Sequence, residues 1–205
     1  AAERQLACLT YDYADFGESA RMHPRRSNAT MQSWALVDQP AARQEMRRQH
    51  AGLPLWVIGH SLGGMLMPLQ DDLDDVARMI VVAGGLVHHH DHPWPYRALA
   101  LAFWFGHAPV VARVLGYLPG RALGFGADLP AGVYWQWRRW CTTRGGYLSE
   151  VGRGLPQPRW HESGIPVDLI ALSDDDVVPP DCVWRLAEVY GDVAPGESSR
   201  EEDPL

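Results

Sequence analysis

Continuous apolar runs, without alternating polar positions, mark the strands that this chain is expected to form. Four such runs are Leu6–Tyr11, Leu55–Ile58, Met79–Ala83 and Ile165–Leu172. Strands that are buried on both faces have this pattern, and they are typical of parallel sheets whose connecting helices cover them. We therefore predict an α/β fold with a mostly parallel sheet and helices on both of its faces.

Helices are predicted between and after these strands. Residues 31–50 mix polar and apolar positions, Pro40 suits the start or a kink of a helix, and Gly52 ends the segment. Apolar residues recur at helical spacing over residues 181–190, which predicts a helix after the last strand.

The segment between the third and fourth strands is much longer than an ordinary connection. Residues 86–164 hold most of the tryptophans, and loops of this length without their own structure are uncommon. We predict an α/β core of residues 1–85 and 165–205 and a helical cap inserted over residues 86–164. The uncharged stretch 98–112 is shorter than the roughly 20 residues of a membrane span, so we expect a buried or lid helix there.

Composition and charge restrict the classes of function. The 205 residues are 46% hydrophobic, enough for one core, and the net charge of −7 disfavours a nucleic-acid partner. The N-terminal residues do not have the pattern of a signal peptide, so a cytoplasmic location is the expectation. The three cysteines are widely spaced and form no metal-binding pattern, which favours free structural thiols. The sequence does not fix the oligomeric state.

A candidate nucleophile lies where the second strand turns into a helix. Gly59-His60-Ser61-Leu62-Gly63 has the G-x-S-x-G pattern, and Gly64 follows it (GHSLGG). We expect glycines on both sides to let the turn close, and the turn to raise the Ser61 hydroxyl above the sheet. The Leu62 amide is then placed to stabilise a developing oxyanion.

Three segments resemble the α/β-hydrolase superfamily, in particular bacterial hydrolases grouped with the serine aminopeptidase-type fold. They are residues 11–19, which resemble the loop D-x-R-G-x-G-x-S, residues 59–64, and residues 174–179, which resemble D-x-I-V-P. The resemblance covers residues 6–190 and implies a serine hydrolase that cleaves an ester or amide without a cofactor. The chain has Ala14-Asp15 where the family has Arg-Gly, so we expect the usual polar tie of that loop to be missing.

The resemblance implies that Asp175 is the acid of the catalytic triad, with Asp174 and Asp176 as alternatives. In this fold the catalytic His follows the acid, whereas all nine histidines precede Asp174. The catalytic His is therefore unknown. The family's second oxyanion donor would also lie upstream of Ala1, and we interpret the chain as truncated at both ends.

A histidine-rich segment offers another source of a base. His88-His89-His90-Asp91-His92 follows the third strand and is expected at the same edge of the sheet as Ser61. Imidazoles also bind metals, but consecutive histidines cannot all face one ion, so we expect a solvated cap loop and no metal site. Two hypotheses remain: a serine hydrolase, or a catalytically silent binding module or inactive fragment that lacks the His.

Overall fold

A three-stranded parallel sheet is central to the fold, which the computed structural model describes for residues 6–124 and 126–191. Within these residues the strands are β1 (Leu55–His60), β2 (Val76–Val82), β3 (Tyr117–Leu118), β4 (Leu129–Pro130) and β5 (Val167–Ile170). The sheet order is β1-β2-β5, with both pairs parallel, and β3 and β4 form a separate antiparallel pair. The predicted α/β class and three of the four predicted strands are confirmed.

The predicted strand Leu6–Tyr11 is wrong. These residues form no strand, and Leu6, Leu9 and Tyr11 are exposed. A strand exists only through pairing, and no described residue pairs with the outer edge of β1. Strand-forming residue types alone cannot supply that partner.

Burial differs between the two faces of the sheet. Met79 and Val81 of β2 are fully buried, whereas Trp56 and Ile58 on the opposite face of β1 are 57% and 71% exposed. The expectation of helices on both faces therefore does not hold for β1 in the described residues. A continuous apolar run cannot distinguish one buried face from two when the outward positions are also apolar.

The helices are α1 (Met31–Ser33), α2 (Gln39–Gln49), α3 (Leu62–Met65), α4 (Tyr96–Leu101), α5 (His107–Leu115), α6 (Ala131–Thr142), α7 (Trp160–Ser163) and α8 (Pro180–Tyr190). π-helical turns over Trp34–Asp38 and Ala102–Gly106 join α1 to α2 and α4 to α5. Short 3₁₀ turns cover Gly17–Ser19, Pro24–Arg26, Met67–Leu69 and Gly146–Glu150. The predicted helices over 31–50 and 181–190 are confirmed.

Local sequence explains how the first long helix starts and bends. Thr30 and Ser33 form a reciprocal capping box that satisfies free amides at the start of α1. Pro40 lies in the first turn of α2, directly after the π turn. Because proline has no N–H, an irregular turn at this point accommodates the missing helical hydrogen bond.

α8 packs against the buried face of the sheet and reaches the turn that follows β1. Val183 and Leu186 are fully buried, and the Tyr190 ring meets that of Trp160 edge to face. The Tyr190 hydroxyl donates a hydrogen bond of 2.5 Å to the carbonyl oxygen of Gly64. The last described helix thus supports the turn that carries Ser61.

The helix pair α4–α5 is long and apolar but mostly exposed. Residues Tyr96–Leu115 have a mean hydropathy of 1.6 over an 18-residue window, and 22% of that window is buried. By length and composition this is the one helix in the described residues able to cross a membrane, although core helices of soluble proteins meet the same criterion. Its buried residues, Ala100, Trp104, Ala108 and Ala112, recur every four positions. The expectation of a buried helix is therefore correct only for this stripe.

Hydrogen bonds to carboxylates stabilise the loop of residues 11–19, which departs from the family pattern. Asp12 Oδ2 accepts a hydrogen bond of 2.7 Å from the Glu18 amide, and Asp15 Oδ2 accepts one of 2.7 Å from the Ser27 hydroxyl. Asp15 also has φ 58°, the left-handed conformation that glycine normally supplies. The Asp15 carboxylate thus makes a polar contact of its own, whereas the loss of the family's usual tie at Ala14-Asp15 stays a prediction.

Candidate active site

The backbone at Ser61 has a conformation that L-amino acids rarely adopt. Ser61 has φ 51° and ψ −118°, and it lies between the end of β1 and the start of α3. Its amide donates to the Val82 carbonyl oxygen at 3.0 Å, which fixes the turn to the neighbouring strand. Strain of this kind is concentrated at functional sites, where a rigid surrounding structure maintains it.

Contacts at the glycines show which of them the turn requires. A Cβ at Gly59 would overlap the carbonyl group of Gly63, and a Cβ at Gly64 would lie 2.5 Å from Val81 Cγ1. A Cβ at Gly63 would meet nothing within 4 Å. The expectation that the turn needs glycine on both sides is therefore correct for Gly59, whereas after Ser61 the essential glycine is Gly64.

The Leu62 amide is available to an incoming oxygen atom. The Ser61 carbonyl oxygen accepts hydrogen bonds from the Gly64 and Met65 amides at 3.1 and 3.2 Å. Within the described residues, the Leu62 amide donates to no acceptor. An unpaired N–H next to a nucleophile can stabilise negative charge that develops on a carbonyl oxygen.

The three adjacent carboxylates differ in their surroundings. Asp175 Oδ1 accepts hydrogen bonds from the Val177 and Val178 amides at 2.8 and 2.9 Å. Within the part of the chain that is described, Asp175 Oδ2 has no hydrogen-bond donor. Asp174 and Asp176 are exposed, whereas Asp175 is half-buried. Of the three, Asp175 has the fixed orientation that an orienting acid needs.

The histidine-rich segment is partly buried. His89 and His92 are buried, and their Nδ1 atoms lie 3.2 and 3.0 Å from the carbonyl oxygens of Cys141 and Asp176. The expectation of a solvated loop is therefore wrong for these two residues, because the segment packs between α6 and the loop that carries Asp175. Burial lowers the pKa of His88 and His89, which favours their neutral forms. Within the described residues, no three His, Cys, Asp or Glu side chains are grouped to hold a metal ion.

The contact of His92 fixes the position of its ring proton. A carbonyl oxygen only accepts hydrogen bonds, so the bond to Asp176 requires a proton on Nδ1, and in the neutral ring Nε2 is then the acceptor. His92 lines the same cavity as Ser61, as does the exposed His107. The structure thus brings one buried histidine to the site, although the sequence pattern did not distinguish it from its neighbours.

An apolar cavity of about 440 Å³ adjoins Ser61. Its walls come from the turn after β1, the loop that carries Asp175 and the segment 86–164. Trp137 and Trp140 belong to these walls. Trp140 is also buried in the core, so the same aromatic residues serve both purposes.

The comparisons with known proteins agree with this arrangement. The model of the alpha/beta hydrolase family matches residues 1–199. The chain belongs to the alpha/beta hydrolase family. This membership supports a general hydrolase function for the chain. No curated protein and no solved structure is significantly similar to this hydrolase.

The thiols near the site of this hydrolase are poor nucleophiles. Burial raises the pKa of Cys141, which lines the cavity, to about 12. Burial, followed by the charge of Asp91, raises the pKa of Cys182 to about 12 as well. A thiol needs its thiolate form to attack, so neither cysteine is a ready nucleophile near neutral pH.

The glycine contacts generate a prediction about stability. Gly59→Ala should lower the free energy of unfolding by about 2–4 kcal/mol, because the new methyl group meets rigid backbone. Gly63→Ala is the matched control and should change it by at most about 1 kcal/mol, with a gain expected from helix propensity. Urea denaturation of the two variants measures the difference. Equal effects of the two substitutions would contradict the assignment of Gly59 as the essential glycine.

Proposed function

We propose that this hydrolase cleaves an ester or amide bond through a covalent acyl-enzyme on Ser61. The observation that carries the proposal is the strained backbone of Ser61 at the wall of an apolar cavity. Residues 1–85 and 165–205 would form the hydrolase core, and residues 86–164 the cap that closes over the cavity. The resemblance to serine aminopeptidase-type hydrolases keeps amides among the substrates.

Three groups would act on the reacting atoms. Ser61 Oγ attacks the carbonyl carbon while its proton passes to a base, and the carbonyl oxygen becomes an oxyanion beside the Leu62 amide. The base then returns the proton to the leaving alcohol or amine as the bond breaks. A water molecule, deprotonated by the same base, releases the acid and regenerates Ser61.

Among the described histidines, His92 is the candidate for this base. It is 4% exposed, it lines the cavity with Ser61, and its Nε2 is the acceptor nitrogen. Its hydrogen bond to the Asp176 carbonyl places it beside the loop of Asp175. In this proposal Asp175 provides the negative charge that stabilises the protonated imidazole.

A fluorophosphonate probe tests Ser61. We expect a single adduct by intact mass on the unmodified chain, no adduct on Ser61→Ala, and a normal adduct on Ser173→Ala, since Ser173 is exposed and outside the cavity. No adduct on folded protein would contradict the proposal and favour a catalytically silent binding module.

Substitution of the adjacent carboxylates tests Asp175. Asp175→Asn keeps Oδ1 as an acceptor for the Val177 and Val178 amides but removes the charge, so the protein should still fold. We expect the rate of probe labelling to fall by at least about 100-fold. Asp174→Asn is the matched control, and its labelling rate should change less than about threefold because Asp174 is solvated. A larger loss of labelling rate in Asp174→Asn than in Asp175→Asn would assign the acid to Asp174.

His92→Gln tests the base. Glutamine can still donate to the Asp176 carbonyl but cannot accept a proton near neutral pH, so labelling should slow by at least about 100-fold. His90→Gln, at an exposed position of the same segment, should label at the normal rate. Unchanged labelling of His92→Gln would mean that another group activates Ser61.

A further inference from the structure

The cavity beside Ser61 is poor in ionisable side chains. Among the described residues that line it, none is Asp, Glu, Lys or Arg. The polar side chains in its walls are a few hydroxyl, imidazole and indole groups and the Cys141 thiol, which burial keeps in its neutral form. A charged substrate group would lose its hydration here and find no counter-ion, which is costly.

One part of the cavity is closed and another is open. Trp140 and Tyr147 belong to the buried core, whereas Leu99 is 67% exposed. Apolar surface at the entrance continues into apolar walls inside, so a long hydrophobic group can enter from solvent and become buried. Burial of such a group is favoured in proportion to the apolar area removed from water.

The size of the cavity limits the size of this group. If each non-hydrogen atom takes the roughly 30 Å³ that a water molecule occupies in the liquid, 440 Å³ corresponds to about 15 atoms. This volume is within the range of small-molecule sites, which are mostly apolar with few polar groups. Acetyl groups would leave most of the cavity unfilled, and chains much longer than about 12 carbons would project into solvent.

We propose that the substrate of Ser61 carries an uncharged apolar chain or ring of medium size, which the cavity binds next to the scissile carbonyl. The inference rests on the proposed function for the chemical step, but binding can be measured without that step. It excludes substrates whose group beside the scissile bond ends in a carboxylate, phosphate or ammonium ion.

Binding is tested in Ser61→Ala, which cannot form an acyl-enzyme. Methyl octanoate and octyl acetate carry the apolar chain on the acyl and the alcohol side, and monomethyl suberate has the octanoyl length with a terminal carboxylate. We expect methyl octanoate, octyl acetate or both to bind and change the tryptophan fluorescence of the variant. Their affinity should be at least about 30-fold above that of monomethyl suberate. Equal affinities, or preference for the suberate ester, would overturn the proposal even if Ser61 is reactive.

Turnover is tested with 4-nitrophenyl esters of increasing acyl length and with alkyl acetates of increasing alcohol length. In the series that occupies the cavity, kcat/KM should rise about two- to fourfold for each methylene and level off or fall beyond about 12 carbons. Flat profiles in both series would overturn the inference. Loss of labelling at Ser61 with intact binding of the apolar esters would overturn the proposed function alone.

A matched pair of variants locates the binding site. Leu99→Arg places a charge at the cavity entrance, and Val110→Arg places one at a similarly exposed position outside the cavity. Leu99→Arg should lower kcat/KM for the preferred long-chain ester at least about tenfold more than it lowers kcat/KM for the shortest ester of the same series. Val110→Arg should affect neither. If the two variants behave alike, the apolar group does not bind in this cavity.

Discussion

The backbone conformation of Ser61 is costly, and its surroundings must maintain it. A conformation of this kind costs of the order of 1–3 kcal/mol, so it persists only where neighbouring contacts leave no alternative. The close approach of Gly59 to Gly63, the contact of Gly64 with Val81 and the bond from the Ser61 amide to β2 supply those contacts. The Tyr190 hydroxyl adds a bond from α8 to the Gly64 carbonyl. The last described helix therefore supports the candidate active site although it lies behind the sheet.

The side chains that form the hydrophobic core also form the walls of the cavity beside Ser61. Aromatic residues of the segment 86–164, such as Trp104 and Trp140, belong to the same apolar cluster as Met79 in the sheet. The cavity is the space that this cluster leaves open beside Ser61. Its walls and the core consist of the same side chains, so substitutions that reshape the cavity also affect stability. Substitutions at exposed positions of the entrance, such as Leu99, change the cavity without this effect on stability.

The sequence predicted those features that depend on local chemistry. Three strands, the helices around them and the turn at Ser61 follow from apolar runs and glycine spacing. The strand expected at Leu6–Tyr11 does not form, because pairing depends on a neighbour and not on residue type. His92 could not be distinguished from the adjacent histidines, since its orientation depends on the carbonyl oxygen of Asp176, 84 residues away. The cavity could not be predicted at all, because its walls come from distant segments.

The π turn at Ala102–Gly106 determines how the helix pair α4–α5 responds to a change of one residue in its length. Such a turn contains one residue more than an α-helical hydrogen-bond pattern needs. Because the turn absorbs this residue, its deletion would restore a regular helix and leave Ala108 and Ala112 in the core. Deletion of one residue outside the turn would instead rotate the residues that follow it by about 100° around the helix axis. A change of one residue at this turn can thus alter the part of the cavity wall formed by Phe103 and Trp104 while α5 and the turn that holds Ser61 stay in place.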